Sequence, residues 1–221
     1  MKPGLLALLV LTAASGWRAD AQEGRILQNL HGSVTYITAS GPPPRELAPS
    51  ASTVLFDDDV AQTGTASMAA VLLADSSQII MASNSVLKLD SFSQDAIAHA
   101  HFVISNGKMR FRVMHPNGAR ADYRFTTPTG EIAVRGTECD VSVDAFDGVR
   151  VNVYHLSDPA LPVHVTMTDG SAYDLAGGQK IWMRWVSGKL VARVSMLTKA
   201  EIDRFSELGP PSTIDGGAPK R

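Results

Sequence analysis

Apolar and polar residues alternate with a period of two through most of this chain, the spacing of half-buried strands. Ser33-Val34-Thr35-Tyr36-Ile37 predicts a first strand. Ala70-Val71-Leu72-Leu73 and Gln78-Ile79-Ile80-Met81 flank a turn at Asp75-Ser76-Ser77, and Val86-Leu87-Lys88-Leu89 follows another at Ser83-Asn84-Ser85. Later, Cys139-Asp140-Val141-Ser142-Val143 and Val149-Arg150-Val151-Asn152-Val153 surround Asp147-Gly148, a strong hairpin signal. Val163-His164-Val165-Thr166-Met167 leads into Asp169-Gly170, of the same turn chemistry. Asn106-Gly107 and Asn117-Gly118 predict two further turns, and Gly41-Pro42-Pro43-Pro44 predicts an exposed loop over 41–52. Short strands with a turn every ten or so residues predict an all-β fold, sandwich-like, barrel-like or β-solenoid-like, over residues 22–196.

One internal echo goes beyond turn vocabulary. Asp75, Ser77, Met81, Ala82 and Leu87 recur at one offset as Asp169, Ser171, Leu175, Ala176 and Ile181, which suggests stacked units of similar build. A short helix is expected over 197–209. Thr198 and Glu201 are spaced as a capping box, Leu197 and Ile202 as a hydrophobic staple, and Gly209-Pro210-Pro211 as a stop. Ile202, Phe205 and Leu208 would form its apolar stripe on the sheet. Residues 210–221 hold Pro, Gly, Ser and charge, the composition of a disordered tail.

The chain opens with Lys2 and the apolar run Leu5–Leu11, then reaches Ala19-Asp20-Ala21, a small-x-small pattern. About ten apolar residues make a helix of roughly 15 Å, half of a hydrocarbon core of about 30 Å. Residues 1–21 therefore read as a signal peptide cut after Ala21, which predicts a periplasmic or secreted protein. No second long apolar run follows, so no membrane insertion is expected after cleavage.

The 221 residues are 44% hydrophobic and 19% charged, ordinary for a globular domain, with a formal net charge of -2. No run of Lys or Arg interleaved with aromatics is present, so nucleic acid is not an expected partner. Cys139 is the one cysteine, which excludes an internal disulfide. Its alternation with Val141 and Val143 predicts a buried, inert thiol, with a reactive one as the alternative.

Candidate chemistry is sparse. His99-Ala100-His101, with His115, could place imidazoles together, but no Cys, Asp or Glu completes a metal set at recognisable spacing. Asp57-Asp58-Asp59 points alternately to opposite sides of an extended chain and reads as a solvated turn. No nucleophile elbow, zinc-protease motif or phosphate loop occurs. Neither catalytic, cofactor-binding nor metal residues are assigned, and the expectation is a protein that is not an enzyme.

The densest pattern joins Phe125-Thr126-Thr127-Pro128 to Ile132-Ala133-Val134-Arg135-Gly136-Thr137 and the strand from Cys139. Pro128 ends one strand, Gly136 permits positive φ, and Arg135 could clamp the corner by pairing with a carboxylate. This run resembles the signature of the FecR domain family. Gly32-Ser33-Val34, Asp59 with Thr63-Gly64, Asp75-Ser76-Ser77 with Asn84-Ser85, Asp169-Gly170-Ser171 and Gly178-Gln179 extend the resemblance over roughly residues 25–185. Asp57 or Asp58 and Ser76 depart from the family where glycine is usual, and Cys139 where an aromatic is common. The resemblance implies an extracytoplasmic protein-contact domain. Its best-known members relay siderophore-receptor occupancy to a sigma factor, but no anti-sigma or transmembrane segment is read here, so iron signalling is not implied.

Two roles follow as expectations: a protein-binding, scaffold or signalling module whose partner is an envelope protein, or a glycan- or cell-wall-binding module that uses Trp182 and Trp185 on a polysaccharide. On either, Thr198→Ala should weaken the C-terminal helix by about 1 kcal/mol, read from hydrogen exchange of its amides. Unchanged exchange would remove the cap.

Overall fold

The computed structural model describes residues 25–94, 97–114 and 121–203. Within them the chain first lays down β1 (Ile26–His31), β2 (Val34–Thr38), β3 (Gly41–Leu47), β4 (Ser52–Val54), β5 (Val60–Thr63) and β6 (Met68–Leu72). Next come β7 (Gln78–Met81), β8 (Val86–Gln94), β9 (Ala98–Arg112), β10 (Ala121–Thr127), β11 (Gly130–Val134) and β12 (Thr137–Asp144). The last strands are β13 (Gly148–Leu156), β14 (Val163–Met167), β15 (Ala172–Leu175), β16 (Gln179–Val186) and β17 (Lys189–Met196), followed by helix α1 (Lys199–Asp203).

The strands form two sheets that share β9. The first runs β4-β1-β6-β7-β9-β12-β13-β16-β17. The second runs β3-β2-β5-β8-β9-β10-β11-β14-β15. Ala98–Asn106 of β9 pairs in the second sheet, and Gly107–Arg112 in the first. From β6 onward the chain adds hairpins to alternate sheets, so both grow in the same direction from β9. β10 returns to the second sheet after β9 has ended in the first, and therefore runs parallel to the start of β9.

The sheets pack face to face on one core. Phe111 of the first sheet meets Phe125 of the second with ring centroids 3.9 Å apart, and Phe102 stacks on Phe125 at 5.4 Å. All three are fully buried, each stabilising the fold by about 1.5–3 kcal/mol. Cys139, Val141 and Val143 point into this core as their alternation predicts. Burial also pushes the Cys139 thiol far up its range, so it stays protonated and unreactive at neutral pH.

The expected strands are present, and β7 and β14 have the bounds that the sequence indicates. The echo is a structural repeat of two turns. Asp75 accepts the Ser77 N–H at 2.9 Å and its hydroxyl at 2.8 Å; Asp169 does the same for Ser171 at 2.9 and 2.6 Å. The two hairpins lie in opposite sheets, so the repeat relates one sheet to the other.

Two expectations fail. Residues 41–52 are not a free loop: Gly41–Leu47 is an edge strand of the second sheet, held on β2. Proline lacks an N–H, so it is tolerated at an edge whose outward side has no partner strand. Asn106-Gly107 is not a hairpin turn but the crossing point inside β9. Gly107 has φ +94°, and a Cβ there would lie 2.3 Å from Ser85 Oγ and 2.4 Å from Ser85 Cα. Asn117-Gly118 lies outside the described residues.

Gly107→Ala should therefore destabilise the protein by more than about 2 kcal/mol in urea unfolding, through a left-handed backbone and a clash with Ser85 together. A neutral substitution would show that the crossing does not need glycine.

Candidate docking surface

Among the described residues the two sheets have four edges, and three of them are unsuited to a partner strand. β3 carries Pro42, Pro43 and Pro44; β4 has three residues; β15 has four. β17 differs. It has eight residues and no proline, and it pairs along its whole length with β16 alone among the described residues. An antiparallel edge of this length leaves about four residues with N–H and C=O groups directed away from the sheet.

The two faces of β17 differ in chemistry. Its register on β16 puts Leu190, Ala192, Val194 and Met196 on the inner side, in line with the buried Ile181 and Met183. Leu190 and Ala192 pack against the core, while Val194 is exposed and Met196 is 62% exposed. Trp185, opposite Leu190, is 51% exposed and lines an apolar cavity of about 250 Å³ with Val143, Phe146 and Val149. On the outer side, Lys189, Val191 and Arg193 lie beside Trp182 and Arg184 of β16. From Gln179 to Met196 the sequence has four basic residues, Lys180, Arg184, Lys189 and Arg193, and no acidic one.

Helix α1 turns back over the outer face of the first sheet. Lys180 Nζ donates to both carboxylate oxygens of Glu201, at 2.6 and 2.7 Å. The Thr198 N–H donates to Glu201 at 2.8 Å, and the Glu201 N–H to Thr198 Oγ1 at 3.3 Å, which forms the capping box. The Lys180 bond and the Thr198 N–H lower the Glu201 pKa to about 2. Ile202 is half exposed and does not complete the expected staple. Residues 204–221 lie outside the described residues, and with them Phe205, Leu208 and the expected tail.

Beside the helix, a polar cluster is buried on the same outer face. Arg110 donates to Asp140 twice, at 2.8 and 3.1 Å; both residues are almost fully buried. Lys108 lies 3.4 Å from Asp140, and the Tyr154 hydroxyl donates to it at 3.0 Å. Burial first, then the Asp140 charge, pushes the Tyr154 hydroxyl up to about 12. A cavity of about 120 Å³ opens between these groups, Arg150 and Glu201. Asp140 is engaged by two cations and Tyr154 is held protonated, so this arrangement serves to fix β9, β12 and β13 in register. The sequence hid it, because each residue stands at an ordinary outward position of an alternating strand.

The other candidates separate. His101 lies between Asp90 and Thr126 at 2.9 and 2.8 Å, while His99 sits 3.6 Å from Asp122. His115 lies outside the described residues, and among the described residues no three metal-binding side chains converge. Asp57 pairs with Arg25 and Asp58 with Lys88. Asp59, expected in solvent, is buried and accepts the N–H groups of Ala39 and Phe56. Gly136 has φ +103°, as its place in the corner requires, and its carbonyl accepts from the N–H and hydroxyl of Ser157. Arg135 is exposed with no ion pair among the described residues, so Ser157 and not Arg135 holds the corner. Trp182 is tied down by a 2.7 Å bond from its indole N–H to the Asp147 carbonyl, under the Arg184 guanidinium.

The corner at Gly136 and the turn at Asp75 lie in a part of the chain that matches a known family. Residues 59–155, from the end of the aspartate run to β13, match the model of the FecR protein family. The match is narrower than the resemblance drawn over residues 25–185, and the β16–β17 hairpin falls beyond it. Two crystal structures of a putative anti-sigma factor from Parabacteroides distasonis ATCC 8503 are similar. Each is 18% identical, covers 61% of this chain and 58% of its own, and has a TM-score of 0.48. This chain thus spans little more than half the length of that protein. No curated protein matches the sequence.

The bond to Lys180 gives the seat of α1 an acid limit. Because the folded Glu201 pKa is depressed, its contribution is complete above the ordinary carboxylate value of 4.5 and is lost as pH falls toward about 2. Lys180→Met should raise the Glu201 midpoint toward 4.5, measured by carboxyl NMR titration. An unmoved midpoint would assign the shift to the helix cap.

Proposed function

We propose that the chain is a non-enzymatic signalling module of the cell envelope, exported by residues 1–21, which works by docking a protein on the open edge of β17. The observation that carries this reading is the contrast among edges: of the four among the described residues, one is long and proline-free, and it carries exposed apolar side chains. The FecR domain agrees with it, since that family is regulatory. No helix among the described residues is long and apolar enough to cross a membrane. Residues 1–24 lie outside the described residues, and the export signal rests on the sequence. The glycan reading is weaker, because Trp182 is engaged and leaves Trp185 as the one indole of the pair with half its surface free.

The test places a photo-crosslinking residue singly at Val191, Val194 and Met196, and as controls at Val54 of β4 and Ala172 of β15, in the envelope of the native cell. Discrete protein adducts from the β17 positions, absent from the controls, are expected. Adducts of equal yield from all five positions, or retention on polysaccharide that Trp185→Ala abolishes, would overturn the docking reading.

A further inference from the structure

Resting on the docking reading, the chemistry of the β16–β17 hairpin defines what should dock. We infer that the edge receives an extended segment of another protein in which apolar and acidic residues alternate, added as the next antiparallel or parallel strand of the first sheet.

Three observations carry this. First, the inner row of β17 ends in exposed Val194 and Met196, and at its other end Trp185 of β16, opposite Leu190, lines an apolar cavity. Alternate side chains of an added strand would fall on that row, and apolar ones would cover it. Second, the side chains between them would fall on the outer side, beside Lys189 and Arg193 on β17, with Arg184 behind. Lys189 and Arg193 have no ion pair among the described residues. Cross-strand pairs of opposite charge stabilise a sheet and like charges oppose it, so acidic residues fit these positions. Third, the hairpin's charge stands apart from that of the chain. Its four basic residues have no acidic neighbour in sequence, whereas the whole protein carries 20 basic and 22 acidic residues. Lys180, the one engaged by α1, already shows the pairing, since its partner is a glutamate.

The same charges argue against a second copy as the occupant. Two β17 edges joined about a two-fold axis would bring Lys189, Arg193 and Arg184 of both copies onto one face without a carboxylate between them. Strand addition would then have to overcome repulsion along its length.

The probes are three soluble peptides of about ten residues: one alternating Val and Glu, one alternating Val and Lys, and one with the Val and Glu residues regrouped into blocks. Each is titrated into the full mature chain with amide NMR detection. The Val–Glu peptide should bind at least about tenfold more tightly than either control, shift amides of 189–196 above all others, and weaken with added salt. Lys189→Glu with Arg193→Glu should reverse the preference toward the Val–Lys peptide while leaving the Tm within a few degrees. If the Val–Lys peptide binds β17 as well as the Val–Glu peptide, the edge is a docking site and the acidic assignment fails. If no peptide perturbs residues 189–196, both the assignment and the docking reading fail. Sedimentation of a dimer whose β17 amides are protected would assign the edge to a second copy.

Discussion

Everything in this fold depends on one strand changing sheets. β9 begins in the second sheet and ends in the first, and Gly107 is where it crosses. The crossing brings its backbone against Ser85, so close that no side chain fits. It also sets the facing of the core: Phe102 lies before the crossing and Phe111 after it, and Phe125 closes the stack from β10. The parallel entry of β10 is a further result, because a chain that has left one sheet at its far end can return only in the direction in which β9 set out. Hairpins then add to the two sheets in turn, all on one side of β9.

The outer face of the first sheet obeys a second constraint. Asp140 sits out of water on a strand whose alternation would ordinarily expose it, and a lone buried carboxylate would be destabilising by several kcal/mol. Arg110, Lys108 and Tyr154 surround it from the two neighbouring strands and so tie β9, β12 and β13 together. Glu201 reaches the border of the same cluster from α1, which gives the helix a seat on β16 through Lys180.

Much of this was legible in the sequence, for local reasons. Period-two alternation located the strands, and Asp-Gly or Asp-x-Ser located hairpins because those residues supply the turn's own hydrogen bonds. Gly136 was recognised by its setting between two strands, and Thr198 by its spacing to Glu201. What failed was non-local. Asn106-Gly107 has turn chemistry, yet its role depends on Ser85, twenty-odd residues earlier, which no window on the sequence contains. The proline run 42–44 reads as a loop until the edge of a sheet is seen beside it. Arg135 looked like the clamp of its corner because a carboxylate was assumed nearby, whereas a serine after β13 supplies the contacts. The sequence offers a strand edge or a pair of indoles as candidates for docking; that the candidate edge is β17 follows from which strands end each sheet, and this is topology rather than composition.

The prolines of β3 gain a meaning from the far end of the sandwich. A module with receptive edges at both ends could recruit copies of itself in series and grow into a fibre. Here the eight-residue edge of β17 lies at one end, while the opposite end presents a proline-bearing strand in one sheet and a three-residue strand in the other. Neither offers a continuous ladder to an incoming edge. If a partner docks on β17 as proposed, the sandwich is polar in the manner of a plug, and addition at that end would stop after a single partner. Stoichiometry of this kind is fixed by where a few N–H groups are missing.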